Sequence, residues 1–384
     1  MAKKFLIGQL ACYGDCLYAT TVAKQIRNDF PDSHITWAVA SKYKSILLLN
    51  PDVDAIWEVP INNNDFYAEG WQNFLKEAES RQRAGIYDEL VFTQIAPRWL
   101  YYDGVIRSST IGSYPSPITV SVDPVVRLSD DEISNVKQFT QRAGLGKFRN
   151  VVLVEYAPGS GQSFMNLDFA LAIANKVIKD RGDTCFVLTG PTRLADKHPQ
   201  IVDASGLTYR ENAELTKYCN LLVGCSSGIT WLATSDWAKK LDMLQVLDRQ
   251  SVFFAGIKYD FDLWGISTAN VVETTVNSTD YVAECVNVVL KDGIIPAKER
   301  YDEQYKPQYF NYRGIVKLVL KDNGTNNIGK LPGIIRGYQK TNKHLNLILL
   351  YFIAGREVVE FYGSKLLQHI SGVPRRVYNK LFKA

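Results

Sequence analysis

Histidine is scarce in this chain of 384 residues: His34, His198, His344 and His369 are all there is, and none lies at metal-ligand spacing from a cysteine. The six cysteines, Cys12, Cys16, Cys185, Cys219, Cys225 and Cys285, are scattered, several of them in apolar runs. That usage predicts buried free thiols in a reducing compartment and no metal site. No Gly-x-Gly-x-x-Gly follows a strand signal, and no Gly-Lys-Ser/Thr closes a phosphate loop. Both absences argue against dinucleotide-fingerprint and P-loop chemistry. Long apolar runs are missing as well. The longest uncharged one, residues 345–355, is far below the ~20 residues that cross a bilayer. At the N-terminus, Phe5-Leu6-Ile7 is too short an apolar run for a secretory signal. These features predict a cytoplasmic protein.

An excess of one charge is also lacking. The 44 Lys/Arg and 40 Asp/Glu are too balanced to imply nucleic acid. Their distribution is uneven, with 16 Lys/Arg against 6 Asp/Glu in residues 298–384, and 28 against 34 before them. The composition, 46% hydrophobic and 22% charged, is that of a globular chain long enough for two cores.

Strand and helix signals alternate. Strands are expected at residues 5–8, 35–39, 55–59 and 89–92, with helices at 16–30, 43–49 and 74–83. Residues 97–124 read as loops. A helix at 129–143 opens with Ser129 and Glu132 at capping-box spacing, and Gly144-Leu145-Gly146 stops it. A second βαβ series follows. Its strands are expected at 151–154, 185–189, 221–224 and 241–247, and its helices at 169–179, 213–218, 228–235 and 281–290. The prediction is an α/β chain of two doubly wound, Rossmann-like domains, 1–146 and 147–296, facing a cleft, with a basic, aromatic, helical extension at 297–384.

Three loops carry candidate chemistry. Tyr13-Gly14-Asp15 lies between the first strand and first helix, where Asp15 could take a proton from a substrate hydroxyl. The alternative is that Asp15 only caps the helix. Cys225-Ser226-Ser227-Gly228 turns from strand to helix, where free amides suit a diphosphate. The alternative there is a capped helix that binds nothing. The turn Gly159-Ser160-Gly161-Gln162-Ser163 would face the same cleft.

Residues 5–59, with Gly14-Asp15 and Asn50-Pro51-Asp52-Val53-Asp54, resemble the N-terminal half of glycosyltransferase family 9, the lipopolysaccharide heptosyltransferases of GT-B fold. Residues 157–160 and 222–228 resemble that family's C-terminal glycine turn and donor-phosphate loop. The resemblance implies inverting, metal-independent sugar transfer from a nucleotide-sugar donor to a saccharide or lipid-linked saccharide acceptor, with no cofactor. It puts Asp15 at the position of the base, Tyr13 and Gly14 on the acceptor side, and Gly159, Ser160, Gly161, Gln162, Ser163, Ser226, Ser227 and Gly228 on the donor side. Three departures bear on the donor. Ser226 stands where the family has an acid, Trp231 where it has histidine, and Gln162-Ser163-Phe164 where it has a basic residue. An epimerase or hydrolase of nucleotide sugars on the same frame, and a member that binds without turnover, remain as alternatives. Arg193 and Arg249 are further candidates for the diphosphate. In the tail, Tyr301, Tyr305, Tyr309, Lys306 and Arg313, then Arg375, Arg376, Lys380 and Lys383, suit either packing on the body or an anionic inner-leaflet surface. Nucleic acid is not expected, because no recognised module appears.

Overall fold

Near-continuous Val/Ile/Leu runs, the mark of strands covered on both faces, fold into parallel sheets in the computed structural model. The model describes residues 2–61, 69–96, 99, 102–159, 161–195, 198–323 and 328–371. The chain divides into two compact units, Met1–Gln94 with Val105–Lys306, and Ile95–Gly104 with Pro307–Ala384.

The first unit holds both sheets. Strands β1 (Lys4–Gly8), β2 (His34–Ala40), β3 (Ala55–Val59) and β4 (Glu89–Phe92) run in the order β3-β2-β1-β4. Strands β5 (Asn150–Glu155), β6 (Thr184–Thr189), β7 (Ile201–Asp203), β8 (Leu221–Gly224), β9 (Asp242–Val246) and β10 (Val271–Thr274) run in the order β10-β9-β8-β5-β6-β7. The pairings between these ten strands are all parallel, with Ile7 opposite Trp37 and Val91, and Leu153 opposite Val187 and Leu222. One buried apolar cluster runs through both sheets and includes Ile7, Trp37, Leu153 and Leu222. The alternate residues Val152 and Val154 join a second cluster with Ile173, Phe186 and Val286.

Helices α1 (Tyr13–Asp29), α2 (Trp71–Arg83), α3 (Ile106–Ile111), α4 (Asp130–Arg142), α5 (Leu167–Ile178), α6 (Glu211–Leu215), α7 (Gly228–Ala233), α8 (Ile257–Leu263), α9 (Thr279–Asp292) and α10 (Ile294–Tyr301) cover them. Two differences from expectation matter. The segment 97–124 is not all loop: α3 forms where Arg107, Ser109, Thr110 and Ile111 are buried, an anchoring that periodicity does not register. Helix α1 begins at Tyr13 rather than Cys16, so Cys12 is its N-cap and Asp15 its third residue.

The capping box is present. The Ser129 hydroxyl accepts from the Glu132 amide at 3.3 Å, and the Glu132 carboxylate accepts from the Ser129 amide at 2.9 Å. Gly144 ends that helical stretch at φ +65°, a conformation costly for any residue with a Cβ. Glu132 also binds the buried Arg210 guanidinium, whose Nε donates to Oε1 at 2.9 Å. The same guanidinium donates to the carbonyls of Ser45 at 3.1 Å and Leu48 at 2.6 Å. One arginine thus joins the helical turn after β2, helix α4 and the start of α6.

The second unit is helical: α11 (Tyr309–Asn323), α12 (Leu331–Thr341) and α13 (Leu347–Ser371). Tyr312, Ile315, Val319, Ile334, Ile335, Tyr338 and Leu350 form its core, with the Tyr312 and Tyr338 rings 5.1 Å apart. Segment 95–104 is held to it at Asp103, whose carboxylate accepts from Thr341 at 2.7 Å and whose carbonyl accepts from Asn342 at 2.6 Å. Arg375, Arg376, Lys380 and Lys383 lie outside the described residues.

Removing a nearly buried ion-pair partner leaves the other charge uncompensated. Arg210→Ala is therefore expected to cost about 3 kcal/mol of unfolding free energy, and Ser129→Ala about 1 kcal/mol. Urea titrations of the two variants should preserve that order.

Candidate functional site

The carboxyl-side loops of β1, β5 and β8 bring the candidate residues into one region of the first unit. Asp15, in the first turn of α1, is half-buried and accepts a hydrogen bond from the Cys12 backbone. Burial outweighs that bond and pushes the carboxyl up to about 7. The reading of Asp15 as cap is corrected in detail: it reaches back to the N-cap amide from the third helical position.

Its neighbours meet the other half of the unit. A Cβ on Gly14 would lie 3.5 Å from Trp231 Cδ1, so the backbone there passes directly beside the indole. The Tyr13 ring stacks on Tyr209 at 4.3 Å and 22°, and meets Tyr43 edge-on at 4.8 Å. Its hydroxyl donates to the Lys42 carbonyl at 3.0 Å. The Tyr209 hydroxyl in turn donates to the Gly228 carbonyl. A Cβ at Gly228 would come within 2.9 Å of that hydroxyl, which is why glycine stands there. Cys12 is the exposed cysteine of this rim, although its thiol is pushed up to about 11 by burial and by the Asp15 charge.

The donor-side turn departs from the expected amide cradle. Glu155, the last residue of β5 and buried, occupies the N-terminal end of α7 with its own carboxylate. Oε1 accepts from the Ile229 amide at 2.8 Å; Oε2 accepts from the Thr230 amide at 3.2 Å and the Thr230 hydroxyl at 2.6 Å, with the Cys225 amide at 3.4 Å. The Ser226 amide donates to Gln245 Oε1 at 2.8 Å. The expectation of free amides across residues 225–228 is corrected in part: the Cys225 and Ser226 amides are engaged, and a carboxylate from β5, which lies beside β8 in the sheet, takes up the Ile229 and Thr230 amides at the positive helix end that a diphosphate would use. Ser227 is the N-cap of α7, and its side chain makes no capping bond.

Ser226 itself is unusual. Its φ of 51° lies in the left-handed region, which costs a side-chain-bearing residue of the order of 1 kcal/mol. Its buried hydroxyl has no hydrogen-bond partner among the described residues, nor has the buried Gln245 Nε2 at the neighbouring strand. The Ser226 carbonyl accepts from Gln162 Nε2 at 3.0 Å and from Trp231 Nε1 at 3.2 Å. Gln162 thereby ties the glycine turn to the 225–228 bend. Ser163 is buried, its hydroxyl donating to the Val246 carbonyl at 2.5 Å. Gly159 and Gly161 are exposed, Gly161 at φ +68°, and Ser160 lies outside the described residues.

Sequence reasoning missed the group behind Trp231. The indole meets Tyr18 at 4.8 Å and Phe261 at 6.4 Å. The Arg107 guanidinium sits 5.1 Å, 5.3 Å and 5.6 Å from the Tyr18, Trp231 and Phe261 rings, and pairs with Asp260 at 2.9 Å. A cation that is buried among three ring faces and paired is well compensated. Arg249 is engaged with Glu303 and Thr275.

Glu155→Gln places an amide donor against amide donors and should lower unfolding free energy by about 3 kcal/mol. Glu155→Ala removes the carboxylate altogether, and added inorganic pyrophosphate should then raise its melting temperature more than that of the unaltered chain. Thermal melts with and without pyrophosphate check both.

No family model matches the chain, and no curated protein matches it in sequence. Solved structures do. A family 9 glycosyl transferase from Veillonella parvula DSM 2008 is similar at a TM-score of 0.53 and 15% identity, over 84% of this chain and 98% of that one. The ADP-heptose lipopolysaccharide heptosyltransferase II of E. coli is similar at 0.51 and 13%, over 76% of this chain and 99% of that one. With its two parallel sheets and enclosing helices, the chain has the α/β GT-B fold of this heptosyltransferase-like kind, carrying a helical C-terminal extension.

Proposed function

We propose that the chain is a glycosyltransferase, moving a heptose or hexose-like sugar from a nucleotide-sugar donor to a saccharide or lipid-linked saccharide acceptor of a bacterial surface glycan, with inversion and without a metal. The observation that carries this reading is Asp15. A half-buried carboxyl raised to about 7, beside Gly14 and Trp231, has the proton affinity a general base needs near neutrality. In the proposed step the acceptor hydroxyl gives its proton to Asp15 and attacks the anomeric carbon, while the bond from that carbon to the diphosphate breaks. Ser227 and Gly228, at the start of α7, would face the leaving charge in this step. The strained Ser226, with its unpartnered hydroxyl, is suited to a polar group of the donor.

Glu155 favours a second reading, in which the chain binds a nucleotide sugar or glycan without turnover. Its carboxylate already neutralises the helix end and opposes a diphosphate placed there.

One assay separates the readings: a panel of nucleotide sugars offered with and without saccharide acceptors, with nucleotide release measured. Acceptor-dependent release is expected; acceptor-independent release marks a hydrolase or epimerase, and binding without release marks the second reading. Asp15→Asn should cut transfer by about 10²–10⁴ while leaving donor affinity largely intact. Turnover of the unaltered enzyme should fall as pH drops below about 7, where Asp15 takes up a proton.

Stability gives an independent check. Folding raises this carboxyl from 3.8 to about 7, so the fold favours its protonated form. The stability so gained is fully present below the unfolded value and is lost as pH rises through about 7. Asp15→Asn should therefore melt above the unaltered chain at alkaline pH, with the gap narrowing as pH falls below about 7 and closing only near 3.8.

A further inference from the structure

Helix α13 is apolar on two faces. Leu350, Ala354 and Glu357 turn into the second unit, where Glu357 is buried and pairs with Arg313 and, at 3.6 Å, with Lys317 of α11. On the other side Ile348, Phe352 and Val359 are 80%, 67% and 72% exposed. Spacings of four, seven and eleven residues from Ile348 put Phe352, Gly355 and Val359 within about 60° of arc on one face. Leu349 and Tyr351, 40% and 41% exposed, flank it. A helix side of this kind, left open, marks a surface that something apolar covers.

The charge of the same unit indicates what covers it. Segments 95–104 and 307–384 hold 14 Lys/Arg against four Asp/Glu. Three of the four are engaged: Asp103 with Thr341, Glu357 with Arg313 and Lys317, and Glu360 with Arg356 at 2.7 Å. Lys321, Lys330, Arg336, Lys340 and Lys343 are exposed, Lys343 lying just ahead of the stripe. Two copies of so positive a unit repel each other, which disfavours a second copy of this chain as the occupant. A bilayer carrying anionic headgroups satisfies both features, with its acyl boundary taking Ile348, Phe352 and Val359 and its headgroups facing the lysines. Among the described residues no helix is long and apolar enough to cross a membrane, so the contact is one of lying on the surface.

We propose that the exposed Ile348–Phe352–Val359 face of α13, within this basic unit, docks on an anionic lipid surface. The inference rests on the second unit alone and stands or falls separately from the transferase reading.

The test is flotation of the full-length protein with vesicles of phosphatidylcholine alone and of phosphatidylcholine with phosphatidylglycerol. Binding to the anionic vesicles is expected, with little to the neutral ones. Phe352→Asp and Ile348→Asp, at exposed positions, should each weaken that binding at least about tenfold while leaving the far-UV spectrum and melting temperature unchanged. Lys340→Glu with Lys343→Glu should weaken it by about fivefold or more per residue and make what binding remains less sensitive to salt. Absence of binding, equal binding to both vesicle types, or full binding by the aspartate variants overturns the proposal. So does a dimer in light scattering that the aspartate variants dissolve, since a second copy would then be the occupant.

Discussion

The buried carboxylate of Glu155 sets the geometry around it. A charge at the end of a strand enclosed on both faces is tolerable only when its oxygens are filled with donors. The amides of Ile229 and Thr230 and the Thr230 hydroxyl fill them. These bonds fix where α7 starts, hence where Trp231 lies against Tyr18 and where the left-handed Ser226 bends the chain. The same contact that makes the bend rigid also takes up the Ile229 and Thr230 amides, which a phosphate at this helix end would otherwise share. Structural economy and donor recognition compete for one set of N–H groups.

The region of Asp15 depends on aromatic packing in place of a charge partner. Tyr13 stacks on Tyr209, and Trp231 closes against Gly14. Further in, Arg107 is held among Tyr18, Trp231 and Phe261 and is neutralised by Asp260, so its charge is spent on structure. Among the described residues no cation figures in the Asp15 titration, and desolvation dominates it.

The alternation of apolar strands and amphipathic helices was legible from residues alone, because burial on both faces demands unbroken Val/Ile/Leu runs such as 151–154. The short edge strands β7 and β10 were not, since Val271-Val272 is followed at once by Glu273, a buried carboxyl pushed up to about 7 that reads as polar in sequence. Asp15, Gly14 and Gly228 stand out locally, because turn and helix-start chemistry is encoded within a few residues. Glu155, Gln245, Tyr209 and Arg107 do not, because their partners are remote in sequence: 74 residues separate Glu155 from Ile229, and 165 separate Arg210 from Ser45. One signal was available, namely an acid directly ending the buried run Val151–Val154.

Cys12 shows how the rim is kept chemically quiet. It is the solvent-facing sulfur of the six, and a thiol reacts as its thiolate. With the proton held until about pH 11, that sulfur is a poor target for peroxides and electrophiles at neutral pH. The entrance beside Asp15 therefore carries a thiol kept protonated at neutral pH by the desolvation and the neighbouring acid that also shape the Asp15 site.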